Sequence, residues 1–234
     1  MASDPLLLAT RSRPKAREIR QILGAGARSQ ELLTLDDAGL PPAPDEDAIE
    51  AFDTFTANAI AKARYFAIRS GLATLADDSG LRVDALGGKP GVFSKRFAAR
   101  PDLDGDALDR ANIQALFQAL RESASPDRAA HYVCAAALVR PGRAPLLTLA
   151  SSSGALIDRP RGTHGFGYDP VFLVPSLGLT FAELELDDKN RLSHRGHAFR
   201  ALASLLAWFP LDSADLLPAA PTRARALDPL SAQD

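Results

Sequence analysis

The sequence predicts an α/β protein, and the order of its apolar segments carries that expectation. Short apolar runs alternate with stretches whose apolar residues recur at helical spacing, from the first residues to about position 210. At 234 residues, with 46% hydrophobic and 24% charged, the chain has enough apolar material for one domain or two closely joined lobes. The formal net charge of −2 gives no global electrostatic reason to bind nucleic acid or a membrane surface, so any anion must be held by a local cluster. No apolar stretch is long enough to span a bilayer or serve as a signal-peptide core, which predicts a cytoplasmic protein. The single cysteine, Cys134, lies in the apolar run Tyr132–Val139 and reads as a buried structural thiol in a reducing compartment.

Pro5–Ala9 (PLLLA) reads as a buried strand, followed by a turn at Thr10–Ser12 with capping hydroxyls. Pro14 stands where a first helical turn tolerates proline, so a helix is predicted from there to about Leu23. A strand beginning near Glu31 precedes a proline-rich acidic loop at 41–47, and a helix is predicted over roughly Phe55–Ser70, with Ala59, Ala63 and Phe66 on one face. The run 72–76 reads as a short strand leading into an acidic turn, and Leu103–Ser123 as another amphipathic helix. Ala129–Val139 and Leu146–Ser153, separated by RPGRAP, read as an antiparallel pair. After the glycine-rich segment 162–170 come a strand, Val171–Val174, a loop, and a last helix around His197–Trp208. Residues 1–210 are therefore expected to form one two-lobed domain. Residues 211–234, rich in Ala, Pro, Asp and Arg and without sustained periodicity, are expected to be a mobile tail.

Residues 75–96, LADDSGLRVDALGGKPGVFSKR, carry the most chemistry. Adjacent carboxylates at a strand end, Asp77 and Asp78, repel unless a cation or proton sits with them, so they point to a hard metal ion, a shifted acid, or both. Gly80, Gly87, Gly88 and Gly91, around Pro90, leave room for backbone to approach a ligand, but GGKPG lacks the frame of a phosphate-binding P-loop. Alone, DDSG reads more simply as a solvated turn.

Four other segments shift that balance. LLLATRSRPKAREI puts Thr10, Ser12 and Lys15 between a strand and a helix start, where backbone N–H groups and the helix dipole favour an anion. Glu50 lies eight residues before Asn58, and Lys62 four after it, on the same helical face. GTHGFGYDPVF sets Phe166 and Tyr168 between glycines as an aromatic surface for a flat base, core packing of both rings being the alternative. KNRLSHRGHAF supplies Lys189, Ser193, His194 and Arg195 just before a helix, donors enough to read the carbonyl edges of a heterocycle, unless the segment is only a basic turn. Among 27 Lys plus Arg, lysine occurs only at 15, 62, 89, 95 and 189, and an ammonium is suited to reaching between phosphate oxygens.

With these motifs in this order, the chain from about Leu6 to Phe209 resembles the inosine triphosphate pyrophosphatase family, the Ham1-like non-standard purine nucleoside triphosphatases. The resemblance implies a Ham1/Maf-like α/β fold: a twisted, mixed sheet in two lobes flanked by helices, with the active site in the central cleft. It implies Mg²⁺-dependent hydrolysis of ITP, dITP and XTP to the monophosphate and pyrophosphate, which cleanses the nucleotide pool, and a homodimer. Glu50, Asp77 and Asp78 would form the metal site, Asp78 also orienting and deprotonating the attacking water. Ser12, Lys15 and Lys62 would neutralise the triphosphate while Thr10 and Asn58 shape the loop. Phe166 would stack on the base within the Gly167–Tyr168 loop, with Lys189, His194 and Arg195 at its 6-keto edge and Ser79 and Asp169 lining the pocket. Three departures stand out: Ser12 where asparagine is common, Ala57 where glutamate often stands, and FSKRF in place of YSARY. Two alternatives remain. A Maf-like pyrophosphatase for modified nucleotides is opposed by SHR and GFGYDP, and a catalytically inactive nucleotide-binding protein is conceivable because of Ser12 and Ala57.

Overall fold

A computed structural model describes residues 5–24 and 31–208; the expectation of a tail over 211–234 lies outside the described residues. In chain order the elements are β1 (Leu6–Leu8), α1 (Arg13–Gly24), β2 (Leu32–Thr34), α2 (Phe55–Ser70), β3 (Ala73–Val83), α3 (Gly105–Ser123), β4 (Ala129–Val139), β5 (Leu146–Leu156), β6 (Phe172–Val174), β7 (Leu179–Thr180), α4 (Leu186–Leu192) and α5 (His194–Trp208). The strands form one mixed sheet among the described residues, in the order β2-β1-β3-β4-β5-β6-β7. β2, β1 and β3 pair in parallel, and every pairing from β3 onward is antiparallel.

The three central strands, β3, β4 and β5, are each 11 residues long and run through both ends of the molecule. At one end, alternate residues bury into different layers, as a period of two requires. Ala76, Ala135 and Ala137 pack under α2 with Ala59, Ala63 and Phe66. Leu75, Cys134 and Ala136 pack on the other face with Ile19 and Ile22 of α1 and Phe199 of α5. At the far end, Leu81, Val83 and Tyr132 join α3 and the aromatic rings Phe172 and Phe181. The two expected lobes are thus the two ends of the same long strands. Small residues on β4 let helices sit close on both faces.

α2 has the bounds expected from the sequence, because Thr54 caps its start, accepting from the Ala57 N–H at 3.2 Å, and Gly71 ends it at φ 72°. Two expectations fail instructively. The DDSG segment is not a turn after a short strand: β3 continues through it to Val83 in full antiparallel register with β4, Asp77 opposite Ala136 and Ser79 opposite Cys134. Gly80 serves that geometry. A Cβ there would lie 2.4 Å from Ser94 Oγ and 2.5 Å from the Gly91 carbonyl, so this glycine admits the neighbouring 91–96 turn, not a ligand. Further along, Lys189 does not precede the last helix but sits in α4, while His194 and Arg195 form the first turn of α5. Ser193 joins the two helices, its Oγ accepting from the Gly196 N–H at 3.1 Å.

Gly80→Ala should therefore destabilise the protein by about 1–3 kcal/mol, the usual cost of overpacking a filled interior. The urea midpoint reports it, and an unchanged midpoint would mean that the 91–96 turn shifts away freely.

Candidate active site

The site lies where the parallel edge of β3 is left without a partner. β1 ends at Leu8, opposite Leu75, and its chain turns away after the Ala9 N–H bonds to the Leu75 carbonyl at 2.7 Å. Asp77 and Asp78 come next on that open edge. Being consecutive in a strand, they face opposite sides of the sheet, so the two charges are not side by side as the motif alone suggested.

Asp77 points into the α1–α5 layer and is fully buried. Its Oδ2 faces Lys15 Nζ at 3.2 Å, Ser79 Oγ at 3.1 Å, and Nε and Nη2 of Arg195, each at 3.3 Å. Burial by itself would raise the pKa of this carboxyl, but Lys15, Arg195 and Lys62 override it and hold Asp77 far below the usual carboxylate range. Its Oδ1 is buried without a hydrogen-bond partner. An ionised oxygen without a donor is costly, and a hard cation is the partner that such an oxygen suits.

Asp78 points to the α2 side, where its Oδ2 accepts from Asn58 Nδ2 at 2.9 Å and its Oδ1 from the Ser79 N–H at 2.9 Å. Asn58 is itself locked, its amide exchanging bonds with the Phe52 N–H and carbonyl at 2.9 and 3.1 Å. Burial, with the charge of Glu50, keeps the Asp78 pKa above its ordinary value against the pull of Lys15 and Lys62. The neighbours thus differ: Asp77 is a firm anion and Asp78 the stronger proton acceptor. Glu50 lies in the loop before α2 and pairs with Lys62 Nζ at 2.5 Å. Among the described residues no three carboxylate, imidazole or thiol side chains form a ready-made metal cage.

At the amino end, Ser12 caps α1, its Oγ facing the Lys15 N–H at 3.5 Å, and Thr10 Oγ1 accepts from the Ser12 N–H at 3.1 Å. Pro14, inside that first turn, has no N–H to offer. This helix start is a poorer anion seat than expected, and the Lys15 ammonium becomes its main cationic group.

The base-side residues form a buried chain of charges. Glu18, which no sequence motif singled out, accepts from Arg195 Nη1 at 2.5 Å and from Lys189 Nζ at 2.7 Å. Lys189 also donates to Asp169 at 2.5 Å, and Asp169 accepts from the Phe166 N–H at 2.8 Å. Two cations hold Glu18 below its ordinary pKa despite burial, whereas burial and the nearby Glu18 charge push Asp169 up. Lys189 Nζ and Arg195 Cζ sit 4.9 and 5.5 Å from the Phe166 ring centroid. A cavity of about 380 Å³ opens here, lined by Pro14, Glu18, Gly165, Phe166 and Lys189 among others, of a size for a small flat ligand. The Gly167 N–H donates to Asp109 at 2.6 Å, fixing the loop from α3, a second contact the sequence did not reveal.

Two residues expected at this surface sit differently. Tyr168 is 3% exposed, packs in the far core and donates to the Ser94 carbonyl at 2.9 Å, so it holds the loop and offers no ring face to a base. His194 is buried and stacked on Tyr132, centroids 4.5 Å apart. Burial, with Arg195 and Lys189 nearby, holds its pKa well below the usual imidazole value, so it is neutral, and its Nδ1 has no partner.

Comparison with known proteins identifies relatives over most of the chain. The Ham1 family profile matches residues 6–205. A dITP/XTP pyrophosphatase of Frankia alni is 44% identical over 201 residues, covering 86% of this chain and 96% of that protein. One of Geobacter sulfurreducens is 43% identical over 203 residues, covering 87% and 96%. Among solved structures, a HAM1 protein from Coxiella burnetii superposes with a TM-score of 0.76 at 36% identity, over 88% of this chain and all of that one.

Glu18→Gln removes the anion shared by two buried cations and should cost about 3–5 kcal/mol of unfolding free energy. Because the folded pKa is depressed, wild-type Glu18 contributes this stability above its unfolded pKa and loses it as pH falls through the folded value. The difference between wild type and variant in urea titrations should thus be full at neutral pH and shrink in acid. A pH-independent difference would mean that Glu18 acts through packing alone.

Proposed function

This chain belongs to the Ham1 family, and from that membership we propose that it hydrolyses non-canonical purine nucleoside triphosphates such as dITP, ITP and XTP to the monophosphate and pyrophosphate. It is a hydrolase of the nucleoside triphosphate pyrophosphatase class. The observation that carries the mechanism is Asp77, saturated with cationic donors on Oδ2 and orphaned on Oδ1, at the open edge of β3.

In the proposed reading, Asp77 Oδ1 and Glu50 would hold Mg²⁺, with Asp78 reaching the same open edge from the α2 side, where it feels the Glu50 charge. The lack of a preformed cage is no objection, because Mg²⁺ keeps several waters and is completed by one or two carboxylates and substrate phosphates. When bound, the ion supplies Lewis-acid stabilisation of the phosphate oxygens. Lys15 and Lys62, now engaged by Asp77 and Glu50, turn toward the triphosphate and neutralise its charge. Asp78, the better proton acceptor, orients the attacking water and takes its proton, while Asn58 fixes its Oδ2. Attack on the α-phosphorus breaks the α–β phosphoanhydride and releases pyrophosphate.

Phe166 stacks on the base. Arg195 has five N–H groups, and its bonds to Asp77, Ser79 and Glu18 leave one on Nη1; Lys189, with two of its three engaged, likewise keeps one. These spare donors suit a 6-keto oxygen and oppose a 6-amino group, which would leave them unpaired against the base. A cytoplasmic homodimer completes the proposal.

Pyrophosphate release from a panel of triphosphates, with and without Mg²⁺, tests the reading. Activity on inosine and xanthosine triphosphates far above that on ATP, lost on metal chelation, is the expected result; no turnover of any of them would make the chain an inactive binder. Asp78→Asn should lower turnover by about 10²–10⁴ with nucleotide binding retained, since an amide orients water but takes no proton. Glu50→Gln should raise the Mg²⁺ concentration for half-activation, and an unchanged metal titration would remove Glu50 from the ligand set.

A further inference from the structure

The turn that carries Thr10 and Ser12 also carries Arg11, which has no part in the chemistry above. Its guanidinium grips Glu46 in a two-pronged contact, Nε to Oε2 at 3.0 Å and Nη2 to Oε1 at 2.8 Å, and Nη1 donates to the Leu40 carbonyl at 2.8 Å. From α2, Arg69 donates to the same Oε1 at 3.0 Å and to the Pro41 carbonyl at 3.3 Å. Both guanidinium carbons lie 5.8 Å from the Phe66 ring centroid. The Ala43 N–H adds another donor to Oε1 at 3.2 Å. The hydrogen bonds from Arg11 lead the effects that hold the Glu46 carboxyl below its ordinary pKa, and its side chain is only 14% exposed.

This grip matters because Glu46 leads within one turn to Glu50. Glu46 opens the short 3₁₀ turn Glu46–Ala48, the Ile49 N–H bonds back to the Glu46 carbonyl at 3.2 Å, and Glu50 is next. The loop 41–50 carries no strand of its own, and side chains tie it down: Arg11 and Arg69 at Glu46, Lys62 at the Glu50 carboxylate, and Arg96 at the Glu50 carbonyl at 3.2 Å. A bidentate guanidinium–carboxylate contact fixes direction as well as distance, which a lysine in place of Arg11 would not do.

We propose that Arg11 is a positioning residue: by gripping Glu46 it draws the 41–50 loop onto the Thr10–Ser12 turn and so sets where Glu50 stands relative to Asp77, Lys15 and Lys62. The proposal rests on the reading of Glu50 as a metal ligand. It goes beyond that reading by assigning the width of the cleft to a contact outside it. One arginine thereby couples the turn that leads into Lys15 to the loop that carries Glu50.

The test uses Arg11→Ala and Arg11→Lys in the full-length enzyme. Mg²⁺ is titrated both in the pyrophosphate-release assay and by calorimetry on the substrate-free protein, and hydrogen exchange is followed at the amides of Ala43, Glu46, Ala48 and Ile49. Supporting partners of metal ligands typically change metal affinity or activity by about 10–100-fold, and Arg11 acts one step further out, so a rise of about threefold to tenfold in the Mg²⁺ requirement is expected. Faster exchange should be confined to those amides, the inosine-to-adenosine preference should hold, and Arg11→Lys should recover only part of the loss. Unchanged metal binding in Arg11→Ala overturns the proposal, whether exchange is unaltered or accelerated throughout the protein, the latter marking Arg11 as generally structural. If instead Glu50→Gln, with Arg11 intact, leaves the Mg²⁺ titration unchanged, the ligand assignment itself has failed and the positioning role falls with it.

Discussion

Asp77 has to stay ionised inside a sheet, and the arrangement of the cleft stems from that requirement. A carboxylate with no access to water protonates unless cations stand against it. Here Lys15 and Arg195 do so from two different helices. Arg195 is equally buried and needs an anion on its other side, which Glu18 supplies. Glu18 then also faces Lys189, and Lys189 faces Asp169. Asp169 in turn holds the backbone of Phe166. The position of an aromatic ring is therefore tied, through alternating charges, to a carboxylate on the central strand. Removing any member takes one partner from each buried neighbour, which makes the chain rigid and specific more than it makes it stable.

The fold makes room for this chain by ending β1 early. A strand of three residues beside one of 11 leaves the rest of the longer strand's edge exposed, and its backbone and side chains then face a gap instead of a neighbour. The gap is filled from both faces: the α1 start and α5 reach Asp77, and α2 with the loop before it reaches Asp78. Consecutive strand residues are the shortest way to deliver two carboxyl groups into opposite layers, where burial and partners give them different proton affinities.

Much of this was legible in the sequence. The bounds of α2, the β4–β5 pair and the early β1–α1 unit come from apolar period, capping residues and proline placement, all local signals. The course of β3 was not, because its polar residues DDSG carry the local signature of a turn, and the reason they stay extended is ten paired register positions on β4, contributed from far along the chain. Glu18 was in principle visible. Lys15, Glu18, Ile19 and Ile22 stand at helical spacing on one face, and α1 buries Glu18, Ile19 and Ile22 together. A carboxylate inside an apolar stripe implies a buried cation elsewhere, but which cation cannot be read locally, since Lys189 and Arg195 lie more than 170 residues away. Tyr168 shows the converse: glycines on one side of it suggested exposure, while its ring was committed to a core assembled from α3, β4 and β6.

Charge balance gives an independent reason for a metal in the proposed reaction. Among the described residues, the buried charge chain and the carboxylates beside it bring together Glu18, Glu50, Asp77, Asp78 and Asp169 with Lys15, Lys62, Lys189 and Arg195, while Arg17 and Glu185 add one charge of each sign at the cavity wall. Nearly all of that positive charge is already engaged, so the site is not an electropositive funnel waiting for an anion. A triphosphate adds several negative charges in a region of reduced dielectric, where repulsion from Glu50 and Asp77 is strong. Displacing Lys15 or Lys62 onto the phosphates helps the ligand but strips the carboxylates, so rearranging the protein's own charges cannot lower the total. A divalent cation held by Asp77 and Glu50, as proposed, would supply the missing positive charge to carboxylates and phosphates alike. The orphaned Oδ1 of Asp77 is the unsatisfied oxygen that such an ion would meet.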